Sequence, residues 1–436
     1  MYTTNLRMKQ ISFLINTSND TLNHVKLLLR SLKENLAGKE HEILIFVDSD
    51  NEGTVDYLKE QKKDFFDLKI ITHKLNPCVG YSRNNNLLVE LAKHDIVSYL
   101  QSDMVISPKY DLEVLSDLEE DCILSATRIE PPLHGTSYQT ITKDFGTDPN
   151  EFKWDEFQSY SITVKENRTL EYFFAPFTFY KKVWMELGGY DTLFRRSRED
   201  SDLLQRFLQA RVKIKQTFRA NVYHFTCVSS RGKNWFDPSS QEAQSRVKVQ
   251  EIADSVELRR FIRKWGRFNH GEEVITRLDM DLVWRGGSIE DLAKIEFYFP
   301  RVWVPTQEIK DQLLKIYKGE NAFANQLLKF TYPDWENAKK FYNQTDYDNI
   351  FSVGEPGSFN IKIEVNMSRD ENGSLLKNAY LFLDNLTFLS NIASPLEPGI
   401  YELGCAEFHV IHKVNLATSQ TVVENPSFDH SLLTIE

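Results

Sequence analysis

The sequence predicts an α/β protein in which a mostly parallel sheet, covered on both faces, is followed by a smaller α+β, β-rich region. Three observations carry this. Through roughly the first hundred residues, continuous apolar runs alternate with amphipathic helical stretches, the pattern of strand–helix units in a sheet buried on both sides. Near the end, Phe359, Ile361, Ile363, Val365 and Met367 alternate strictly with polar residues, the period of a strand with one solvated face. The composition, 41% hydrophobic and 26% charged, is that of a globular protein and too apolar for a disordered chain.

Taken in order, Ile11-Ser-Phe-Leu-Ile15 is the first strand, and Thr17-Ser-Asn-Asp20 supplies helix-capping chemistry for a helix marked by Val25, Leu28, Leu29, Leu32 and Leu36. Glu42–Val47 is the second strand, running into the acidic turn Asp48–Gly53 and a helix from Thr54 to Glu60. Leu68–Ile71 and Asp95–Leu100 are two more strands, separated by a helix over Gly80–Lys93. Between Cys122 and Phe225 the pattern loosens into strands, a loop from Pro131 to Trp154, and helices around Lys181–Leu187 and Asp200–Gln209. A long amphipathic helix, Gln241–Trp265, stops at Gly266.

A boundary near residue 270 is expected, dividing a domain over 1–270 from one over 271–436. In the second, Gln307–Phe330 and Trp335–Asn343 read as helices, and Asn372-Gly373 marks a hairpin turn before Ala379–Leu389. The last ~80 residues thus read as an antiparallel sheet with one solvated face.

Composition narrows the function classes. At 436 residues the chain has room for two or three domains. Its longest strongly apolar stretch, Tyr172–Tyr180, contains Pro176 and falls far short of the ~20 residues that span a bilayer. The N-terminus has no signal-peptide pattern, so a cytoplasmic location is the default expectation. A net charge of −11 gives no general grip on nucleic acid or an anionic membrane. Cys78, Cys122, Cys227 and Cys405 are too dispersed for a zinc or redox motif and read as reduced thiols. No repeat period or low-complexity tract stands out.

In an open, mostly parallel sheet the ligand binds at the carboxyl ends of the strands. The polar clusters at those ends here are Ile11-Ser-Phe-Leu-Ile-Asn-Thr-Ser-Asn19, Glu42 to Thr54, Asn76-Pro-Cys-Val-Gly-Tyr-Ser-Arg-Asn84 and Leu100-Gln-Ser-Asp-Met104. Further on come Gly188-Gly-Tyr-Asp191 and Arg198-Glu-Asp-Ser-Asp-Leu203. In order and spacing, residues 9 to 270 resemble a glycosyltransferase of the GT-A fold (Rossmann-like), specifically the inverting, nucleotide-sugar-dependent family 2.

The resemblance implies a donor site built from Asn16, Thr17, Asn19, Asp48, Arg83, Gln101 and Ser102, with Asp48 facing uracil of a UDP-linked sugar. Asp103 falls on the metal-facing acid of the family's Asp-x-Asp element, while Gln101 replaces its first acid and brings no charge. A divalent ion, Mn2+ or Mg2+, would offset the charge that builds on the departing diphosphate. His224 closes the strand Asn221–Phe225 where family members carry a histidine near the metal, so Asp103 and His224 are the expected ligands. An inverting transfer needs one general base, expected to be Asp200 with Glu199 as the fallback, whereas Asp202 reads as a capping or hydrogen-bonding acid. Thr226–Asp237 has the composition of a closing loop in which Arg231 or Lys233 would meet the diphosphate.

The implied partners are a nucleotide sugar and a hydroxyl-bearing acceptor: polysaccharide, protein or modified nucleic acid. The C-terminal domain is left to acceptor recognition or oligomerisation. Arg259–Arg267 interleaves cations with aromatic residues and reads as helix packing with a solvated basic face, with anionic binding as the alternative. His409 and His412, three apart in a strand, point to opposite faces and so are not expected to share a metal. A nucleotidyltransferase is disfavoured because Asn16–Asp20 lacks a glycine-rich basic loop. A catalytically degenerate domain that only binds sugar or a partner is the non-enzymatic alternative, and Gln101 is its support.

Overall fold

The computed structural model describes residues 9–74, 80–134, 137–194, 197–226, 239, 241–266, 274, 280–317, 347–359, 361–367, 398–403, 406–410 and 429–436. The chain forms two compact units, one of Met1–Glu251, Tyr332–Tyr342 and Val423–Glu436, the other of Ile252–Thr331 and Asn343–Val422. This division falls earlier than the boundary expected near 270. The reason lies in the helix Gln241–Trp265: Ile262 joins the second unit's core, and the Arg263 guanidinium donates to both Glu296 carboxylate oxygens at 2.6 Å.

In the first unit, β1 (Ile11–Thr17), β2 (Glu42–Val47), β3 (Asp67–His73) and β4 (Ile96–Gln101) pair in parallel, in the order β3-β2-β1-β4. Every residue of β2 is buried, as a strand covered on both faces requires. The covering helices include α1 (Leu22–Asn35), α2 (Thr54–Gln61) and α3 (Tyr81–Leu91). Val25, Leu28, Leu29 and Leu32 of α1 are buried at helical spacing. In α3 the buried face includes Asn84, Asn85 and Asn86, residues of modest helix propensity. Their amides are engaged instead: Asn85 donates to Tyr81 O, and Asn86 both donates to Tyr190 O and accepts from Tyr190 N.

Beyond β4 the chain makes the short β5 (Met104–Ile106), α4 (Tyr110–Asp117) and β6 (Cys122–Glu130). The segment expected to be a loop from Pro131 to Trp154 contains a short strand, β7 (Thr140–Thr142), beside β6. There follow α5 (Trp154–Thr163), β8 (Thr169–Leu170), β9 (Phe177–Tyr180), α6 (Lys181–Glu186), α7 (Glu199–Gln209) and β10 (Lys213–His224). β9 runs antiparallel between β4 and β6, and β10 is parallel to β6 and antiparallel to β5. A register shift between Thr217 and Asn221 lets one strand serve both neighbours. The C-terminal strand Leu433–Ile435 returns to this sheet, antiparallel to β3. No helix among the described residues is long and apolar enough to cross a membrane.

The second unit holds a six-stranded sheet in which β11 (Met280–Gly286) is flanked in parallel by β12 (Arg301–Val304) and β14 (Ile361–Asn366). β13 (Phe351–Val353) extends it on one side, β16 (Ala406–Val410) and β15 (Gly399–Leu403) on the other. The strands that the last ~80 residues contribute here, β14, β16 and β15, pair antiparallel as expected, but the sheet as a whole is mixed. β14 has the expected alternation, with Ile361, Ile363 and Val365 buried, but it pairs in parallel with β11, far back in the chain. A helix covers 307–317. The expected helix Trp335–Asn343, the Asn372-Gly373 turn and the stretch Ala379–Leu389 lie outside the described residues, as does His412.

Candidate active site

The parallel strands end together. Asn16 on β1 stands opposite Gln101 on β4 and Phe46 on β2, and Asp48 N donates to Thr17 O at 2.9 Å. Most of the proposed donor residues therefore line one sheet edge. Asn84 Nδ2 reaches Asn16 Oδ1 at 3.3 Å, which ties the start of α3 to that edge. Asp48 is fixed from two directions: His73 Nε2 lies 3.3 Å from its Oδ1, and Gly80 N donates to its Oδ2 at 3.3 Å. Arg83 and Ser102 are buried beside them. Thr17 faces differently, since its hydroxyl pairs with that of Thr21 at 2.7 Å and serves the entry to α1. Asn19 donates nothing to that pair; its backbone N–H reaches Ser49 Oγ at 3.3 Å, and its buried Oδ1 has no hydrogen-bond partner. The buried Gln101 Oε1 likewise has none. Arg231 and Lys233 lie outside the described residues.

Asp103, 2% exposed, sits in the turn between β4 and β5. Because β10 runs antiparallel to β5, its last residue, His224, pairs with Met104, and Phe225 N donates to Asp103 O at 3.1 Å. This brings His224 Nε2 to 3.8 Å from Asp103 Oδ1. That gap is too long for a hydrogen bond and shorter than the two bonds of about 2.1 Å each that one ion shared by both atoms would make. The other ring nitrogen, Nδ1, lies 2.7 Å from Glu130 Oε1. Burial would raise the Glu130 carboxyl, but the His224 hydrogen bond together with the charges of His224 and Arg128 lowers it overall. An imidazole, a carboxylate and a charged group behind the imidazole make a donor set that fits a divalent ion. A group of three such side chains, Glu364, Glu407 and His409, occurs in the second unit. There Glu364 is already matched by Lys362 at 2.6 Å and Arg285 at 2.9 Å.

The base side is assembled by the Gly-Gly-Tyr-Asp segment. Gly189 has φ +70°, and a Cβ there would lie 2.4 Å from Asn86 Oδ1 and 2.5 Å from Trp184 Nε1, so only glycine fits. With that turn made, Asn86 clamps the Tyr190 backbone from both sides, and the Tyr190 hydroxyl donates to Asp200 Oδ1 at 2.6 Å. Asp200 lies in the first turn of α7, where the helix dipole favours a carboxylate. Burial nevertheless dominates and pushes its carboxyl above the usual carboxylate range, against the Tyr190 hydrogen bond and the Arg128 charge. Asp202 differs: fully buried, its Oδ2 accepts from Arg206 Nε at 2.9 Å, and Arg206 Nη1 donates to Leu187 O. It holds α7 to the loop before it.

Between the two halves stand Tyr81 and Tyr99, whose hydroxyls share a hydrogen bond. Burial pushes Tyr99 up, and the charges of Asp200, Glu199 and Asp103 add to this, so one ring feels the acids of both halves. Tyr81 is raised by burial, Tyr99, Asp200 and Glu199. Glu130, Arg128, His73 and the three tyrosines contact the candidate residues or one another and were not among those expected from the sequence. The available signal was position: Glu130 ends a strand-like run, as Asp103 nearly does.

Fold and site together define an α/β sheet with acids at the carboxyl ends of its parallel strands. Residues 12–187 match the family model described as Glycosyl transferase family 2. No curated protein matches the sequence. Among solved structures, the chain is similar to GalNAc-T7 with UDP, GalNAc and Mn2+ at 13% identity and a TM-score of 0.41, covering 58% of this chain and 51% of that one. S. aureus TarS is 13% identical with a TM-score of 0.37, covering 58% and 43%. The mannosyltransferase PcManGT from Pyrobaculum calidifontis, in complex with GDP-Man and Mn2+, is 13% identical with a TM-score of 0.37, covering 58% and 65%. The chain thus spans about half the length of the first of these.

Proposed function

We propose that the chain is an inverting glycosyltransferase that moves a sugar, hexosyl or related, from a UDP-linked donor to a hydroxyl acceptor. Asp200 takes the acceptor's proton as its oxygen attacks the anomeric carbon from the face opposite the leaving diphosphate. Glu199, one position earlier in the first turn of α7, is the fallback for that role. Tyr190 holds the Asp200 carboxylate, and Asp48, Asn16 and Gln101 line the nucleotide side. Asp103 and His224 would hold a divalent ion, Mn2+ or Mg2+, which when bound offsets charge on the departing nucleoside diphosphate. The reading places the reaction in the cytoplasm and gives the second unit to acceptor recognition or oligomerisation.

The observation that carries the reading is the buried Tyr99, which the charges of Asp200, Glu199 and Asp103 all push up. Metal-side and base-side acids thus lie within electrostatic reach of one group. The test is UDP release from UDP-sugars with Mn2+ present, in the wild type and D200N. General-base loss lowers the rate by about 10²–10⁴-fold, and equal rates in the two proteins overturn the assignment. Gln101, which brings no charge where the family has an acid, favours a second reading: a domain that binds nucleotide sugar without turning it over. Donor-dependent thermal stabilisation with no UDP release from the wild type selects that reading.

A further inference from the structure

We propose that Glu130 is the positioning residue of the metal site: it holds the His224 ring through Nδ1, so that Nε2 is presented to Asp103. The inference rests on the reading of Asp103 and His224 as metal ligands. β6 and β10 run in parallel, with Tyr223 opposite Ile129, so the next residue of each strand, His224 and Glu130, emerges at the same sheet edge. Glu130 Oε1 lies 2.7 Å from Nδ1 while Nε2 stands 3.8 Å from Asp103 Oδ1.

A histidine ring can hand a lone pair to a metal through one nitrogen only if the other carries the proton, and an acceptor on that second nitrogen selects this tautomer. A carboxylate acceptor also makes the ring more basic and stops it from turning about its long axis. Nothing else described reaches Nδ1. Arg128 Nη1, 3.7 Å from Glu130 Oε1, and the Lys143 N–H on the Glu130 backbone carbonyl at 2.9 Å fix Glu130 in turn. The site thus has an outer layer built on β6, a strand that carries none of the proposed ligands.

A strand-to-strand ion pair that merely joined β6 to β10 would have the same contacts, so the test reads metal binding itself. Mn2+ affinity is measured by the free-ion electron paramagnetic resonance signal, with Mn2+ alone and with UDP, for the wild type, E130A, E130Q, H224A and E130A/H224A. Thermal melts confirm that each variant folds. E130A weakens Mn2+ binding by about 10–100-fold, the usual cost of losing such a partner, and E130Q, which keeps the size and one acceptor, weakens it less. In the H224A background, E130A brings no further loss, because Glu130 acts through the ring. Wild-type affinity in both E130A and E130Q overturns the proposal, as does an E130A loss that persists undiminished without His224. If E130A does not fold, E130Q alone decides between weakened and wild-type binding. H224A with wild-type affinity would instead remove the ligand reading on which the proposal stands.

Discussion

A carboxylate that must be both buried and ionised needs help, and Asp200 receives it from Tyr190 and Arg128. Burial raises its carboxyl, and the Tyr190 hydroxyl at 2.6 Å and the Arg128 charge pull it part of the way back. Tyr190→Phe removes one hydrogen bond and keeps the ring, which packs edge-on to Trp184 at 4.9 Å. A hydrogen bond to a charged group is worth roughly 1.5–3 kcal/mol, and one pKa unit is about 1.36 kcal/mol. The Asp200 pKa in Y190F should therefore rise, and the acid limb of kcat/KM for sugar transfer should move to higher pH with it. A pH profile superimposable on the wild type, in a protein that still needs Asp200, removes Tyr190 from this role. The placement of Asp103 after a strand and of Asp200 at a helix start was legible in the sequence, because each lies inside a contiguous motif. Tyr99 and Glu130 were not, since the features that define them are formed by strands paired across the sheet. Glu130 meets a partner 94 residues away.

Elements succeed here where local chemistry agrees with the sheet and surprise where it does not. β1 to β4 and their helices were readable within a few residues, since their apolar runs and helical faces are local signals. The mixed sheet of the second unit was not, because the alternation in β14 reports a half-buried strand without saying which neighbours it takes or in which direction. The turn after α6 depends on Gly189, where φ is +70° and a methyl would overlap Asn86 and Trp184. Gly189→Ala should cost more than the ~1 kcal/mol of an unstrained Gly→Ala change, with the opposite sign. It should also displace Tyr190 from Asp200, so thermal melting and transfer rate fall together. α4 supplies a second case. Asp111, fully buried, accepts from Ala37 N and Gly38 N and meets His41 Nε2 at 3.0 Å. Burial alone would raise its carboxyl, and these hydrogen bonds lower it below the ordinary value. A folded pKa below the unfolded one stabilises above the unfolded value, and the stabilisation disappears as pH falls through the folded value. Asp111→Ala should destabilise by about 3–5 kcal/mol near neutrality, and denaturant unfolding should show the gap to wild type narrowing in acid.

At the scale of the whole molecule, the first unit is discontinuous in sequence. Its sheet is finished by Leu433–Ile435, which lies along β3 with Ile70 and Glu436 exchanging two backbone hydrogen bonds, at 3.0 and 2.9 Å. Lys59 adds an ion pair to Glu436 at 3.0 Å, and Lys74 Nζ donates to Ser431 O. Sequence periodicity could not show this, because three residues at the chain's end carry no signal of the strand they will join. The consequence concerns any attempt to isolate the unit. A cut at residue 270 removes most of the second unit and also uncovers β3, whose unpaired N–H and C=O groups then form an open sheet edge. Deleting only residues 429–436 should therefore lower the melting temperature of the sheet that bears Asp48 and increase aggregation seen by light scattering, although none of the deleted residues touches the proposed chemistry. Adding the deleted peptide in trans should restore part of the lost stability by mass action. If the shortened chain instead melts and scatters light as the full one does, the strand is an ornament on β3 and the boundary of the first unit can be drawn without it.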